Sequence, residues 1–151
     1  MGIYLDHNAT TPIDTLVLDE MISFLKDNFG NPSSIHWCGR MVRRTIDIAR
    51  ANVAKLIGAN EREIVFTSGG TESDNTALKG VFFKCKDKGN HIIATVIEHP
   101  AILKTLSYLE RFGAKVTLLQ VDQYGNIDLD QLKKSISDKT ILISVMYANN
   151  E

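Results

Sequence analysis

The residues with the greatest chemical capacity in this chain fall in three short runs. In the first, Phe66-Thr67-Ser68-Gly69-Gly70-Thr71-Glu72-Ser73-Asp74-Asn75, glycines and hydroxyls join an apolar, strand-like stretch to a helix-like one. Gly69 and Gly70 permit close backbone approach, Ser68 and Thr71 supply hydroxyls, and the leading N–H groups of the helix that follows have no intrahelical acceptor. Such a turn suits an anion, and a phosphate fits it well. The plain alternative is a tight strand-to-helix connection, because the run matches neither the GxGxxG fingerprint nor the GK[ST] ending of a P-loop. The second run is Glu98-His99-Pro100 and the third is Asn149-Asn150-Glu151. His99 reads either as a cap for a helix starting near Pro100 or as an aromatic face for a planar cofactor. Asn149 and Asn150 alone would be turn formers, and Glu151 a fraying end.

Other chemistries fit less well. Glu98 and His99, with His7, His36 and His91 elsewhere, raise the idea of a metal, but neighbouring residues point in different directions and no HExxH or CxxC pair offers a rigid chelate. Ser68 lacks the GxSxG elbow of a serine nucleophile. The two cysteines, Cys38 and Cys85, are too few for a disulfide framework and read as ordinary thiols. A net charge of −1, with 17 basic residues scattered along the chain, leaves no footprint for nucleic acid or an anionic membrane. No run has the length of a membrane span, and residues 1–7 lack the basic start and apolar stretch of a signal peptide, so a cytoplasmic location is expected.

The elements that would carry these residues follow from periodicity. With 151 residues, 44% of them apolar, the chain can bury one ordinary core. Thr11 with Pro12 predicts a helix start, and Leu18, Met21, Ile22, Leu25 and Phe29 recur at helical spacing up to Gly30. A turn over 31–34 precedes a second helix reaching about Ile57 and stopped by Gly58, with Arg40, Arg43, Arg44 and Arg50 expected on a solvated face. From Glu63 the pattern alternates: strand 64–66, helix 72–86, strand 92–96, helix 101–112 capped by Gly113, strand 116–121, helix 129–136 behind an Asp128/Gln131 capping box, strand 141–147. Apolar strands alternating with helices predict an α/β fold, a three-layer α/β/α arrangement with a mostly parallel sheet and right-handed crossovers. The C-terminal ends of parallel strands share one edge of a sheet, so all three polar runs should meet there.

With those residues in view, a family resemblance appears. The runs Tyr4-Leu5-Asp6-His7-Asn8-Ala9-Thr10-Thr11-Pro12, Gly30-Asn31-Pro32-Ser33-Ser34 with His36 and Gly39, Thr67 through Asn75, Glu98-His99 and Ala148-Asn149-Asn150-Glu151 resemble, in order and spacing, the N-terminal part of the cysteine desulfurases. These are fold-type-I pyridoxal 5'-phosphate enzymes of the class-V aminotransferase group. The resemblance implies that Gly70 and Thr71 hold the cofactor phosphate and that His99 stacks on the pyridine ring and serves in proton transfer. It also implies that Asn150 hydrogen-bonds the cofactor's phenolic oxygen and that residues 8–11 form part of the active-site wall. In such enzymes the cofactor is an electron sink while sulfur leaves L-cysteine as an enzyme persulfide and L-alanine is released. A homodimer is implied, as is a sulfur-acceptor or scaffold protein serving iron–sulfur cluster assembly or tRNA thiolation.

The chain departs from that pattern by stopping at Glu151. The Schiff-base lysine, the aspartate facing the pyridine nitrogen, the loop cysteine and the small C-terminal domain would all lie downstream. Cys38 and Cys85 are not in the loop-cysteine context, and no lysine sits in a Ser-x-His-Lys setting. The expectation is therefore part of a large domain, with a helical segment over 1–60 and βα repeats over 61–151, inactive by itself. Alternative readings are a selenocysteine lyase or another class-V enzyme, and a non-catalytic module that binds an anion or recruits a scaffold.

Overall fold

A computed structural model describes residues 2–149, which divide into two units: residues 10–66, and the remainder. In the first unit, helix α1 (Thr15–Asp27) starts where the Asp14 carboxylate accepts from the Leu16 N–H at 2.8 Å. The expected cap at Thr11 is corrected: a helix begins where a side-chain oxygen meets a leading N–H, and Asp14 makes that bond. The turn over 31–34 closes as expected, with Asn31 Oδ1 accepting from the Ser33 N–H at 2.9 Å and its carbonyl from the Ser34 N–H at 3.0 Å. Helix α2 (Trp37–Ile57) ends on Gly58 at φ 69, the left-handed stop that the sequence predicts.

The turn packs on the first turn of α2 so closely that only glycine fits. A Cβ on Gly30 would lie 2.5 Å from the Cys38 carbonyl oxygen, and one on Gly39 would lie 2.5 Å from the carbonyl oxygens of Asn31 and Ser34. Of the four arginines expected in solvent, Arg50 is half-buried; its guanidinium lies 5.0 Å from the Phe66 ring centre and donates to the Ile64 carbonyl. This bond replaces the expected strand at 64–66, which does not form. A strand exists only with a neighbour to complete its ladder, and no other strand among the described residues runs beside it.

The second unit holds the α/β alternation. Its elements are α3 (Gly70–Lys84), β1 (His91–Thr95), α4 (Pro100–Glu110), β2 (Lys115–Leu119), α5 (Leu129–Ser135) and β3 (Thr140–Ile143). The three strands form one parallel sheet in the order β2-β1-β3 within a three-layer α/β/α arrangement. Ile92 pairs with Val116 on one side and Leu142 on the other, after a register shift at His91. Ile92 and Ala94 join Leu78 and Phe82 of α3 and Ile102, Leu106 and Leu109 of α4 in one core cluster. Ile93 and Thr95 point the opposite way and are also buried, so β1 is covered on both faces, which explains its unbroken apolar run.

Element ends differ from expectation by small, explicable amounts. Helix α3 begins at Gly70 rather than at 72, and β3 ends at Ile143 rather than 147, because Met146 turns its N–H toward Glu98 instead of along a ladder. Gly113 is not the immediate cap of α4, which is Arg111; the glycine takes φ 94 beyond it, where the Ala114 N–H reaches back to the Leu109 carbonyl. Asp128 caps α5 as expected, accepting from the Asp130 and Gln131 N–H groups. No helix among the described residues is long and apolar enough to cross a membrane.

Candidate functional site

Helix α3 starts with a residue that cannot cap it. Gly69, in extended backbone, has no side chain to accept from the leading N–H groups. Ser73 is the first residue to close a helical bond, onto the Gly69 carbonyl at 3.1 Å, and the N–H groups of Gly70, Thr71 and Glu72 have no partner among the described residues. The Thr71 hydroxyl is likewise uncommitted there, and a Cβ on Gly69 or Gly70 would meet nothing within 4 Å. The result is an open cluster of donors at the positive end of a 15-residue helix, which attracts an anion.

One of the expected donors is spent elsewhere. Ser68 gives both its N–H, at 2.6 Å, and its hydroxyl, at 2.7 Å, to Glu72 Oε2. Those two bonds hold the Glu72 carboxyl below the usual carboxylate range. Thr67 Oγ1 lies 2.6 Å from Ser73 Oγ and braces the same turn. Gly70 and Thr71 therefore keep uncommitted donors at this turn, while Ser68 is bonded within the loop leading into it.

Helix α4 starts with the second polar run. His99 is its N-cap, accepting at Nδ1 from the Ala101 N–H at 3.0 Å, with Pro100 in the first helical position. The capping reading is thus correct, and it leaves the other reading intact: Nδ1 is committed, the neutral ring carries its proton on Nε2, and the exposed ring keeps a free face.

The starts of α3 and α4 are brought together. Thr71, Asn75, His99, Ala101 and Thr105 line one groove of about 450 Å³, a volume typical of small-ligand sites, and Lys79 and Lys104 add positive charge to its lining. Asn75 sets the spacing: Nδ2 donates to the Thr71 carbonyl at 2.9 Å, and Oδ1 accepts from Thr105 Oγ1 at 2.9 Å. Thr105 is 5% exposed, so the link between the helices lies in the packed layer. Its signal in the sequence is the four-residue spacing of Thr71 and Asn75 on one helix face.

Asn149, the described residue of the third run, bonds to the loop that carries the second. Glu98 is a buried carboxylate, accepting from Thr95 Oγ1 at 3.0 Å and the Met146 N–H at 2.8 Å. Asn149 Nδ2 donates to the Ile97 carbonyl at 3.0 Å, and Asn8 Nδ2 to the Ala148 carbonyl at 3.3 Å. Asn8 thereby reaches the expected edge, whereas Thr10 and Thr11 belong to the other unit. Asn150, the expected partner of a phenolic oxygen, lies outside the described residues.

The residues present fit a phosphorylated aromatic group. Unpaired backbone donors and the Thr71 hydroxyl suit the phosphate, and a flat, exposed imidazole in the groove that Thr71 also lines suits the ring.

Comparison with known proteins places the chain in a family. The model of the aminotransferase class-V family matches residues 3–151. The chain is 51% identical over 150 residues to cysteine desulfurase IscS of Methanosarcina thermophila, covering 99% of this chain and 37% of that protein. It is 54% identical over 149 residues to a putative cysteine desulfurase, IscS 1, of Bacillus subtilis, covering 39% of that protein. Among solved structures, a NifS-like protein matches all of this chain and 42% of its own with TM-score 0.91 and 44% identity. SspA in complex with cysteine matches 98% of this chain and 43% of its own with TM-score 0.87 and 38% identity. The chain thus spans well under half the length of these relatives.

Proposed function

The chain belongs to the aminotransferase class-V family, and we propose that it is the N-terminal portion of a pyridoxal-phosphate-dependent cysteine desulfurase. The observation that carries this reading is the groove lined both by Thr71, in the uncapped first turn of α3 beside Gly70, and by the N-cap imidazole of α4, His99. Gly70 and Thr71 would grip the phosphate through backbone N–H groups and the Thr71 hydroxyl. His99, turned by its Nδ1 bond to the Ala101 N–H, would lay its ring face on the pyridine and present the Nε2 proton toward the reacting substrate.

When bound, pyridoxal phosphate supplies the electron sink that lets the substrate carbon release sulfur. The chain's own contribution is orientation: Asn75 and Thr105 hold the phosphate end at a set distance from His99, and an unpaired helix start needs no reorganisation to receive the anion. L-cysteine as substrate accords with the names of the relatives and with the cysteine complex of SspA. By the same kinship the whole protein would be a cytoplasmic homodimer passing sulfur to an acceptor or scaffold protein for iron–sulfur cluster assembly or tRNA thiolation.

Incubating the full-length protein with L-cysteine and assaying sulfide and L-alanine tests the reading. Equimolar release of both is expected, together with a yellow cofactor band bleached by hydroxylamine. A protein that binds the cofactor but releases neither product is another class-V enzyme, and a colourless full-length protein is a binding module.

A further inference from the structure

Glu98 is a buried carboxylate that the proposed chemistry does not use. It is 6% exposed, and among the described residues neither ion pair includes it. Burying a charged carboxylate is costly unless hydrogen bonds replace its water. Here Oε1 receives two of them, from the Thr95 hydroxyl at the end of β1 and from the Met146 N–H beyond β3. One donor ends β1 and the other lies just beyond the neighbouring strand β3, 48 residues from Glu98 in sequence. The next residue along the chain from this strut is His99.

A second bond between the same two loops, from Asn149 Nδ2 to the Ile97 carbonyl, lies on the other side of Glu98 in sequence. With the Thr95 bond closing the loop locally and the Met146 bond tying it across the sheet, residues 97–99 have little freedom. We infer that Glu98 is a positioning residue, holding the loop that carries His99 against the segment 144–149. This rests on the reading of His99 as the residue that faces the cofactor ring. What Glu98 must supply is one oxygen in one place, so a glutamine, whose carbonyl oxygen can accept both bonds, should replace it, whereas alanine leaves the buried Thr95 hydroxyl and the half-buried Met146 N–H without this partner.

The test uses full-length protein carrying Glu98→Ala, Glu98→Gln or Thr95→Val. It compares amide exchange at Met146, the dissociation constant for pyridoxal phosphate added to apoprotein, and the kcat and KM for L-cysteine. In Glu98→Ala, Met146 exchange should quicken about ten- to hundredfold and cofactor binding weaken about tenfold, with kcat falling more than KM rises. Glu98→Gln should stay within about threefold of wild type in each measurement. Thr95→Val, which removes one bond and keeps the core packed, should lie between them, and it decides the matter if Glu98→Ala does not fold.

Unchanged Met146 exchange in the alanine or valine variant overturns the inference, as does a glutamine variant as impaired as the alanine one. If wild-type protein binds no pyridoxal phosphate, the proposed function falls, while Met146 exchange still judges the strut itself.

Discussion

The two units of this chain handle their apolar residues in opposite ways. In residues 67–149, Leu78, Phe82, Ile92, Ala94, Ile102, Leu106, Leu109 and Ala114 form one closed cluster between α3, α4 and the sheet. In residues 10–66 the buried apolar side chains are Cys38, Val42 and Ala54, while Leu25 is 72% exposed, Phe29 82% and Leu56 84%. Helix α1 buries no residue at all. Both units have amphipathic helices, so the contrast lies in the surface each apolar stripe meets. A sheet offers a wide apolar plane on which helices close a core; helices joined by a tight turn offer far less. The α/β unit also holds the candidate site, as expected if donors and rings must be kept within fractions of an ångström.

The contrast can be broken most directly in the core. Phe82→Ala in the 151-residue chain should lower stability by about 3–5 kcal/mol, and Leu25→Ala by less than about 0.5 kcal/mol, in denaturant unfolding. Equal losses would mean that α1 has a buried partner and that the units do not differ. A smaller effect should come from glycines. Gly39→Ala places a Cβ 2.5 Å from two backbone carbonyl oxygens in the helical unit and should cost about 1–3 kcal/mol, whereas Gly80→Ala in α3 meets nothing within 4 Å and should stabilise by about 0.5–1 kcal/mol. Thermal midpoints moving in the same direction would contradict the packing described for the turn over 31–34.

The smallest effect is electrostatic. Bonds from Ser68 hold the Glu72 carboxyl below its ordinary range at the start of α3, and those from Asn60 do the same for Glu63 in the helical unit. A depressed value in the folded state stabilises above the unfolded carboxylate range, and that contribution is lost as pH falls through the depressed value. Glu72→Gln should therefore flatten the acid-side loss of protection at the Ser68 and Ser73 amides, and Glu63→Gln should leave those amides unchanged. Identical acid profiles for wild type and Glu72→Gln would remove the carboxylate from the account of this turn.

Much of the fold was legible because the signals are local. Alternating apolar runs and helical periods gave each of α3, β1, α4, β2, α5 and β3 to within a few residues, and Gly58 and Asp128 announced their caps. The 64–66 run misled because its apolar residues satisfy a strand's composition without supplying a strand's neighbour, and Arg50 takes up its carbonyl instead. Thr11 with Pro12 misled for a similar reason: a good start signal lost to Asp14, whose carboxylate meets an N–H. In the candidate site, Gly70, Thr71 and His99 stood out by residue type, since glycines before a helix and an imidazole before a proline carry a chemical meaning by themselves. Asn75 and Glu98 were not read for what they do, because their roles depend on Thr105, Thr95 and Met146, whose places are set by folding.

By itself, then, the order of residues determined the family, the alternation of strands and helices, and the chemical types available at the ends of the strands, because each of these is written within a few neighbouring positions. Only the tertiary structure decided that α3 and α4 open onto one groove and that Glu98 braces the loop of His99 against the segment beyond β3. Those outcomes depend on distances between segments far apart in the chain, which arise only when the parallel sheet brings its loops to one edge.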